Sequence, residues 1–236
     1  MRLDQALAQK GLVATRSQAE NYIKLGKVKV NGRVVTKTAY FVGPEDWLEL
    51  TQLNQYVSRA GLKLASVAQK LGLDFMNKMV LDVGSSTGGF TDYALQRGAT
   101  KVIAVDVGSN QLHDSLRVDK RVEVHEKTDV RQLKLAQKPD VVLIDVSFIS
   151  LRQILPAVAK LSNSSTQIVA MLKPQFEAGK EQINKGVVKN DRLRRQIMKD
   201  FEVWSKQSFR IIDKADSTVA GTKGNKERFY LLRLKA

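Results

Sequence analysis

Leu3, Ala6 and Leu7 recur at helical spacing and stop at Gly11, and Ala19, Tyr22 and Ile23 repeat that spacing after Thr15 or Ser17, either of which can cap a helix. Two short helices are predicted. Val28 and Val30 then alternate with Lys27 and Lys29, Asn31-Gly32 is a strong hairpin signal, and Val34-Val35 return. The first forty residues therefore read as a helix–helix–hairpin unit. Gly43-Pro44-Glu45-Asp46 is a turn, Trp47 to Leu50 a short strand, and 51–55 a polar stretch suited to a linker. This places a boundary near 55 and divides the chain into 1–55 and 56–236. Beyond it, apolar β-branched runs alternate with helical patterns. Strands are predicted at 79–83, 101–106, 122–125, 141–145, 167–172, 209–213 and 228–234, and helices around 59–71, 89–97, 150–161 and 191–206. Strand–helix alternation with buried-type strands argues for a mostly parallel α/β sheet.

Composition narrows the function classes. Hydrophobic residues make up 43% and charged residues 27% of the 236, which excludes a disordered chain. No apolar run approaches the roughly 20 residues that span a bilayer. The N-terminus carries Asp4 and lacks an apolar stretch with a small-residue cleavage site, so the chain does not read as secreted and a cytoplasmic protein is expected. With no cysteine and only His113 and His125, thiolate catalysis and Cys-type zinc sites are excluded, and no metal site is expected. The net charge of +15 favours a polyanionic partner. It is concentrated early: residues 1–40 hold eight Lys/Arg against Asp4 and Glu20, a net +6. Arg2, Arg16, Ser17, Lys24, Lys27, Lys29 and Arg33 are the candidate phosphate contacts, because lysines, arginines and a helix start are what bind phosphate oxygens.

The first strand of the larger part runs into Asp82-Val83-Gly84-Ser85-Ser86-Thr87-Gly88-Gly89-Phe90, an acid near a strand tip followed by a glycine-rich turn into a helix. A nucleotide-like ligand belongs at such a turn. The dinucleotide fingerprint wants glycine at 86, where Ser stands, and a phosphate-cradling loop wants lysine at 90, where Phe stands. An adenosine ligand without phosphate fits better. Asp106, ending the next strand, can accept from two ribose hydroxyls, and Asp129, after the third, from an adenine amino group. S-adenosylmethionine is such a ligand, and its cationic centre would be favoured near Asp82 and Asp145.

Two lysines resist a purely structural reading. Lys63 interrupts the apolar pattern of 59–65, and Lys173 directly follows the apolar strand 167–172, on the edge where an open α/β sheet holds its ligands. Asp145 ends the neighbouring strand on that edge, and Glu227 begins the last strand. Partial desolvation is what lets a lysine work as a base near neutral pH, and a nearby carboxylate can hold it in place. A snorkelling surface residue is the alternative for each.

On these motifs the chain resembles the TlyA family, historically called hemolysin A. The carriers are RLDQALAQKGLVATRSQA and KVKVNGRVV in the small part, YVSRAGLKL at the junction, and LDVGSSTGGFTD, AVDVGSNQL, LIDVSFISL, MLKPQFEAG and GNKERFYLL in the large one. The resemblance implies a small N-terminal α+β RNA-binding domain of the ribosomal-protein-S-four (alpha-L) type, joined to a Rossmann-like, FtsJ-like methyltransferase domain that uses S-adenosylmethionine. It implies a catalytic tetrad at Lys63, Asp145, Lys173 and Glu227. The cofactor site it implies comprises Asp82, Gly84, Ser85, Ser86, Gly88, Gly89, Phe90, Asp106, Asp129 and Asp145. Asp129 stands where the family more often has Asn. The implied reaction is methylation of a ribose 2′-hydroxyl in ribosomal RNA, usually of cytidine, within small or large ribosomal subunits, by a monomer. In that reaction Lys173 accepts the hydroxyl proton, Asp145 and Glu227 orient the two lysines, and Lys63 steadies the developing alkoxide.

Two other classes are weighed against it. A membrane-acting hemolysin would need a spanning segment, an export signal or a long amphipathic helix, and none is legible. An RNA-binding protein with an inactive methyltransferase fold would show a broken tetrad, and all four residues are present.

Overall fold

The computed structural model describes residues 1–13, 15–24, 26–51, 56–179, 187–188, 190–219, 221 and 224–235. Most of the expected linker, 52–55, lies outside them. The chain forms two compact units, Met1–Gln55 and Tyr56–Ala236.

In the small unit, α1 (Leu3–Gln9) and α2 (Arg16–Lys24) precede β1 (Val28–Val30), β2 (Arg33–Val34) and β3 (Leu48–Leu50). The Thr15 hydroxyl accepts from Gln18 N, so Thr15 and not Ser17 caps α2. Asn31 and Gly32 both have positive φ, 51° and 78°, as a two-residue hairpin turn requires. β1 pairs antiparallel with both β2 and β3. Asn31 also reaches across to the third strand: its Oδ1 accepts from Trp47 N and its Nδ2 donates to Asp46. Leu3, Leu7, Ala19, Ile23, Val28 and Val30 close a core of their own.

The large unit is built on seven strands: β4 (Met79–Val83), β5 (Lys101–Val105), β6 (Val122–His125), β7 (Val141–Ile144), β8 (Gln167–Leu172), β9 (Phe209–Asp216) and β10 (Arg228–Leu234). Their order is β6-β5-β4-β7-β8-β10-β9. The first five run parallel, and β10 is antiparallel to both β8 and β9. The helices are α3 (Arg59–Ala68), α4 (Gly89–Gln96), α5 (Asp114–Arg117), α6 (Leu151–Leu161), α7 (Pro174–Glu177) and α8 (Asp191–Ser205). α5, α7 and a single 3₁₀ turn at Val130–Gln132 are absent from the sequence expectation, being too short to show periodicity. β9 runs three residues past its expected end because β10 pairs with it as far as Asp216.

The buried residues form two clusters in this unit. One gathers α3 and α4 with Val80, Val102 and Leu143, and the other α6 and α8 with Leu81, Ile103 and Val142. Alternate strand residues thus serve opposite layers, and the central strands are buried on both faces. Chain order reverses between β4 and β7, which opens a crevice at their carboxyl ends. No helix among the described residues is long and apolar enough to cross a membrane.

Candidate active site

Gly84 leaves β4 with φ 80°, and a Cβ there would lie 2.7 Å from the Asp145 carbonyl oxygen. Only glycine lets the first turn pass this close to the end of β7. The crevice beside it is a cavity of about 550 Å³, lined by Gly84, Ser86, Asp106, Asp129, Asp145 and Ser147 among others. Val105, Val107, Val130 and Ile154 supply apolar wall. Asp106 is fixed by two backbone donors, Ser86 N at 2.9 Å and Gly108 N at 2.7 Å, so one carboxylate ties the glycine turn to the loop after β5 and still borders the cavity. Glu126 organises that loop further. It accepts from Asn110 N, Gln111 N and Leu112 N, and an ion pair with Arg117 and these amides hold its carboxyl at about 2.

Other residues expected at the cofactor stand behind the cavity wall. Asp82 is fully buried and accepts from the Thr91 hydroxyl at 2.7 Å, joining β4 to α4. Burial, together with the nearby Asp145 and Asp106 carboxylates, pushes its pKa up to about 7 against that hydrogen bond. It therefore lies beneath the turn, with its second carboxylate oxygen, Oδ1, left without a hydrogen-bond partner among the described residues. Gly88 is likewise not on the wall. With φ 94°, it leaves room for Leu116 and for Leu112, whose Cδ1 would lie 2.7 Å from a Cβ at 88. Ser85, Gly89 and Phe90 are also buried in the turn and the start of α4. Asp129 borders the cavity, but both its oxygens already accept from Arg131, which limits what it offers an adenine.

Four charged residues meet at the same edge in two pairs. Lys173 Nζ lies 2.6 Å from Asp145 Oδ1, and Lys63 Nζ lies 2.6 Å from Glu227 Oε2. All four side chains are at most 16% exposed. The sheet brings the pairs together. Register Arg228↔Leu172 sets Glu227, just before β10, beside Lys173, just after β8, and β7 delivers Asp145 from the other side of β8. Lys63 arrives on α3. Ser58 caps this helix, and its Gly61 packs so tightly on the start of α4 that a Cβ would lie 2.9 Å from the Gly89 carbonyl. Burying two ion pairs costs desolvation that their attraction only roughly offsets, so they are weak candidates for stabilisers of the fold.

Sequence reasoning missed Ser147 and Phe148. The Ser147 hydroxyl accepts from Lys173 Nζ at 2.7 Å. Phe148 is 91% exposed with φ 65°, and its ring lies 5.1 Å from that of Phe176, over which Lys173 sits. An aromatic residue beside a strand-end acid was the available signal. Among the described residues, no three of His, Asp and Glu group as a metal would need.

The sheet order, the glycine turn at the point of reversal and a cavity bordered by acids at successive strand ends define a nucleoside-binding α/β domain of the methyltransferase type. The FtsJ-like methyltransferase model matches residues 56–234 and the S4 domain model residues 1–48. The chain belongs to the FtsJ-like methyltransferase family and carries an S4 domain at its N-terminus. It is 39% identical over 233 residues to Hemolysin A of Brachyspira hyodysenteriae, covering 96% of this chain and 97% of that one. It is 37% identical over 239 residues to the 16S/23S rRNA (cytidine-2′-O)-methyltransferase TlyA of Mycobacterium tuberculosis, covering 98% and 89%. A solved structure from Streptococcus thermophilus, also described under the hemolysin name, superposes with a TM-score of 0.76 at 37% identity, covering 100% and 88%.

Proposed function

We propose that the chain methylates a ribose 2′-hydroxyl of ribosomal RNA, at a cytidine within small or large ribosomal subunits, using S-adenosylmethionine and acting as a cytoplasmic monomer. The observation that carries this reading is the pair of buried ion pairs at the sheet edge that borders the cofactor cavity. The cavity fits the cofactor's chemistry: apolar wall for a base, the oriented Asp106 carboxylate for ribose hydroxyls, and backbone brought close by Gly84. When bound, S-adenosylmethionine supplies a sulfonium methyl open to in-line attack.

The chain's own part is to hold the attacking oxygen on that line and to take its proton. Lys173 Nζ accepts the hydroxyl proton once it has itself released one, and Asp145 fixes where the amine points. Lys63, held by Glu227, supplies positive charge for the oxygen as it becomes alkoxide-like. Lys24, Lys27, Lys29 and Arg33 of the S4 domain supply phosphate contacts. Arg2 and Arg16 contribute less to RNA, because Asp4 engages both. The test is transfer of tritiated methyl from S-adenosylmethionine to ribosomal subunits from a strain lacking the modification, followed by mapping. Label on a cytidine ribose is expected. Label on a base or on ribosomal protein contradicts the reading.

A further inference from the structure

Ser147 lies two residues after Asp145 on the loop leaving β7, borders the cavity, and accepts from Lys173 Nζ at 2.7 Å while Asp145 Oδ1 stands 2.6 Å from the same nitrogen. One short loop thus presents a hydrogen-bonding hydroxyl and a carboxylate counter-charge to one amine. An amine nitrogen is tetrahedral. The bond to Cε takes one direction, and in the neutral form two N–H groups and one lone pair take the rest. With one N–H directed at the Ser147 hydroxyl, and the Asp145 carboxylate 2.6 Å away in an ion pair outside hydrogen-bond geometry, the lone pair is held to few directions. With Asp145 alone, the amine can turn about its last bond and the lone pair is spread over several orientations.

We propose that Ser147 is a positioning residue for Lys173, its hydroxyl supplying the hydrogen bond that aims the amine, already paired in charge with Asp145, at the ribose hydroxyl. This rests on the reading of Lys173 as proton acceptor. Alignment matters because a reacting atom misplaced by an ångström can lose about 10²-fold in rate. Loss of one neutral hydrogen bond that serves alignment alone should cost about tenfold. The geometry has a local requirement as well: a hydroxyl on Cβ is needed at 147, so threonine can replace serine and alanine cannot.

The experiment is a double-mutant cycle on the full chain, reading methyl transfer to ribosomal subunits at saturating cofactor and subunit. Ser147→Ala should lower kcat about tenfold with KM for either substrate within about twofold. Ser147→Thr should restore most of it. In the Lys173→Ala background, Ser147→Ala should cost nothing further, because a positioning hydroxyl has no effect when the amine it aims is gone. Unchanged kcat in Ser147→Ala, or an equal loss in both backgrounds, overturns the proposal while leaving the Lys173 reading intact. Failure of that reading would show differently, as a Lys173→Ala variant that keeps its turnover.

Discussion

In the small unit, Asp4 is fully buried and accepts from Arg2 Nε at 3.0 Å and Arg16 Nε at 2.7 Å. In the large unit, Asp145 and Glu227 each lie 2.6 Å from a lysine. Chemically the arrangements are alike, a carboxylate against a cation. They differ in what lies beyond the cation. Arg2 and Arg16 extend from a packed helix pair toward solvent, and their acid fastens α1 to the start of α2. Lys173, just after β8, and Lys63, on α3, end at the carboxyl edge of the sheet, where Asp145, the partner of Lys173, lines the cavity. A buried acid–base pair is structural or chemical according to the sheet edge or helix face that carries it.

The largest expected effect lies on the chemical side of that comparison. Lys173→Ala should reduce methyl transfer by about 10²- to 10⁴-fold, with cofactor and RNA affinities within a few fold of wild type, as single-turnover kinetics and calorimetry would check. Gly84→Ala should come next. An alanine at φ 80° is strained and its Cβ meets the Asp145 carbonyl, so the domain should lose about 2–4 kcal/mol in denaturant unfolding and cofactor binding should weaken with it.

Asp4→Asn tests the structural side. Burial alone would raise the Asp4 pKa, but hydrogen bonds from Arg2 and Arg16 outweigh it and hold the carboxyl at about 2, below the ordinary 3.8. A lowered pKa contributes stability that is present above about pH 4 and lost as pH falls through about 2. The variant should lose about 1–2 kcal/mol at pH 7, discounted for the half-exposed arginines, and should match wild type near pH 2. Arg16→Ala should behave the same way. Lys27→Ala with Arg33→Ala should instead spare stability and flatten the salt dependence of RNA binding by about one unit of slope for each phosphate no longer neutralised.

The smallest effect separates two acids at neighbouring strand ends. Asp82→Asn should leave cofactor affinity within a few fold, since Asp82 is sealed beneath the turn, whereas Asp106→Asn should weaken it by more. Because the folded state holds the Asp82 proton up to about pH 7 and the unfolded chain releases it near 3.8, this group lowers stability as pH rises between the two. The Asn variant should lack that decline in thermal melts taken from pH 4 to pH 8.

Much of the fold is legible because runs such as Val141 to Ile144 and Ile168 to Leu172 are apolar on both faces, which only a covered parallel sheet accommodates. The insertion of β10 between β8 and β9 is not, since strand order depends on long-range pairing that local patterning does not encode. At the site, a strand-end acid beside a glycine turn announces a ligand but not which acid faces it. Asp82 and Asp106 look equivalent in sequence, and only Thr91, nine residues along, draws Asp82 inside. Asp145 is legible near Lys173 from neighbouring strand ends, but the partner of Lys63 is not, because Lys63 and Glu227 are 164 positions apart in the chain and no periodicity connects them. Ser147 went unnoticed because a serine after a strand looks like any loop serine until the lysine of the next strand is seen beside it.

In the proposed reaction Lys173 receives a proton and does not merely supply charge. Single-turnover methyl transfer by Lys173→Arg, at saturating cofactor and ribosomal subunits, tests it most directly: a guanidinium keeps the positive charge and can still donate hydrogen bonds but stays protonated. A rate near that of Lys173→Ala is expected. A rate near wild type would contradict it and leave the hydroxyl proton to depart by another route.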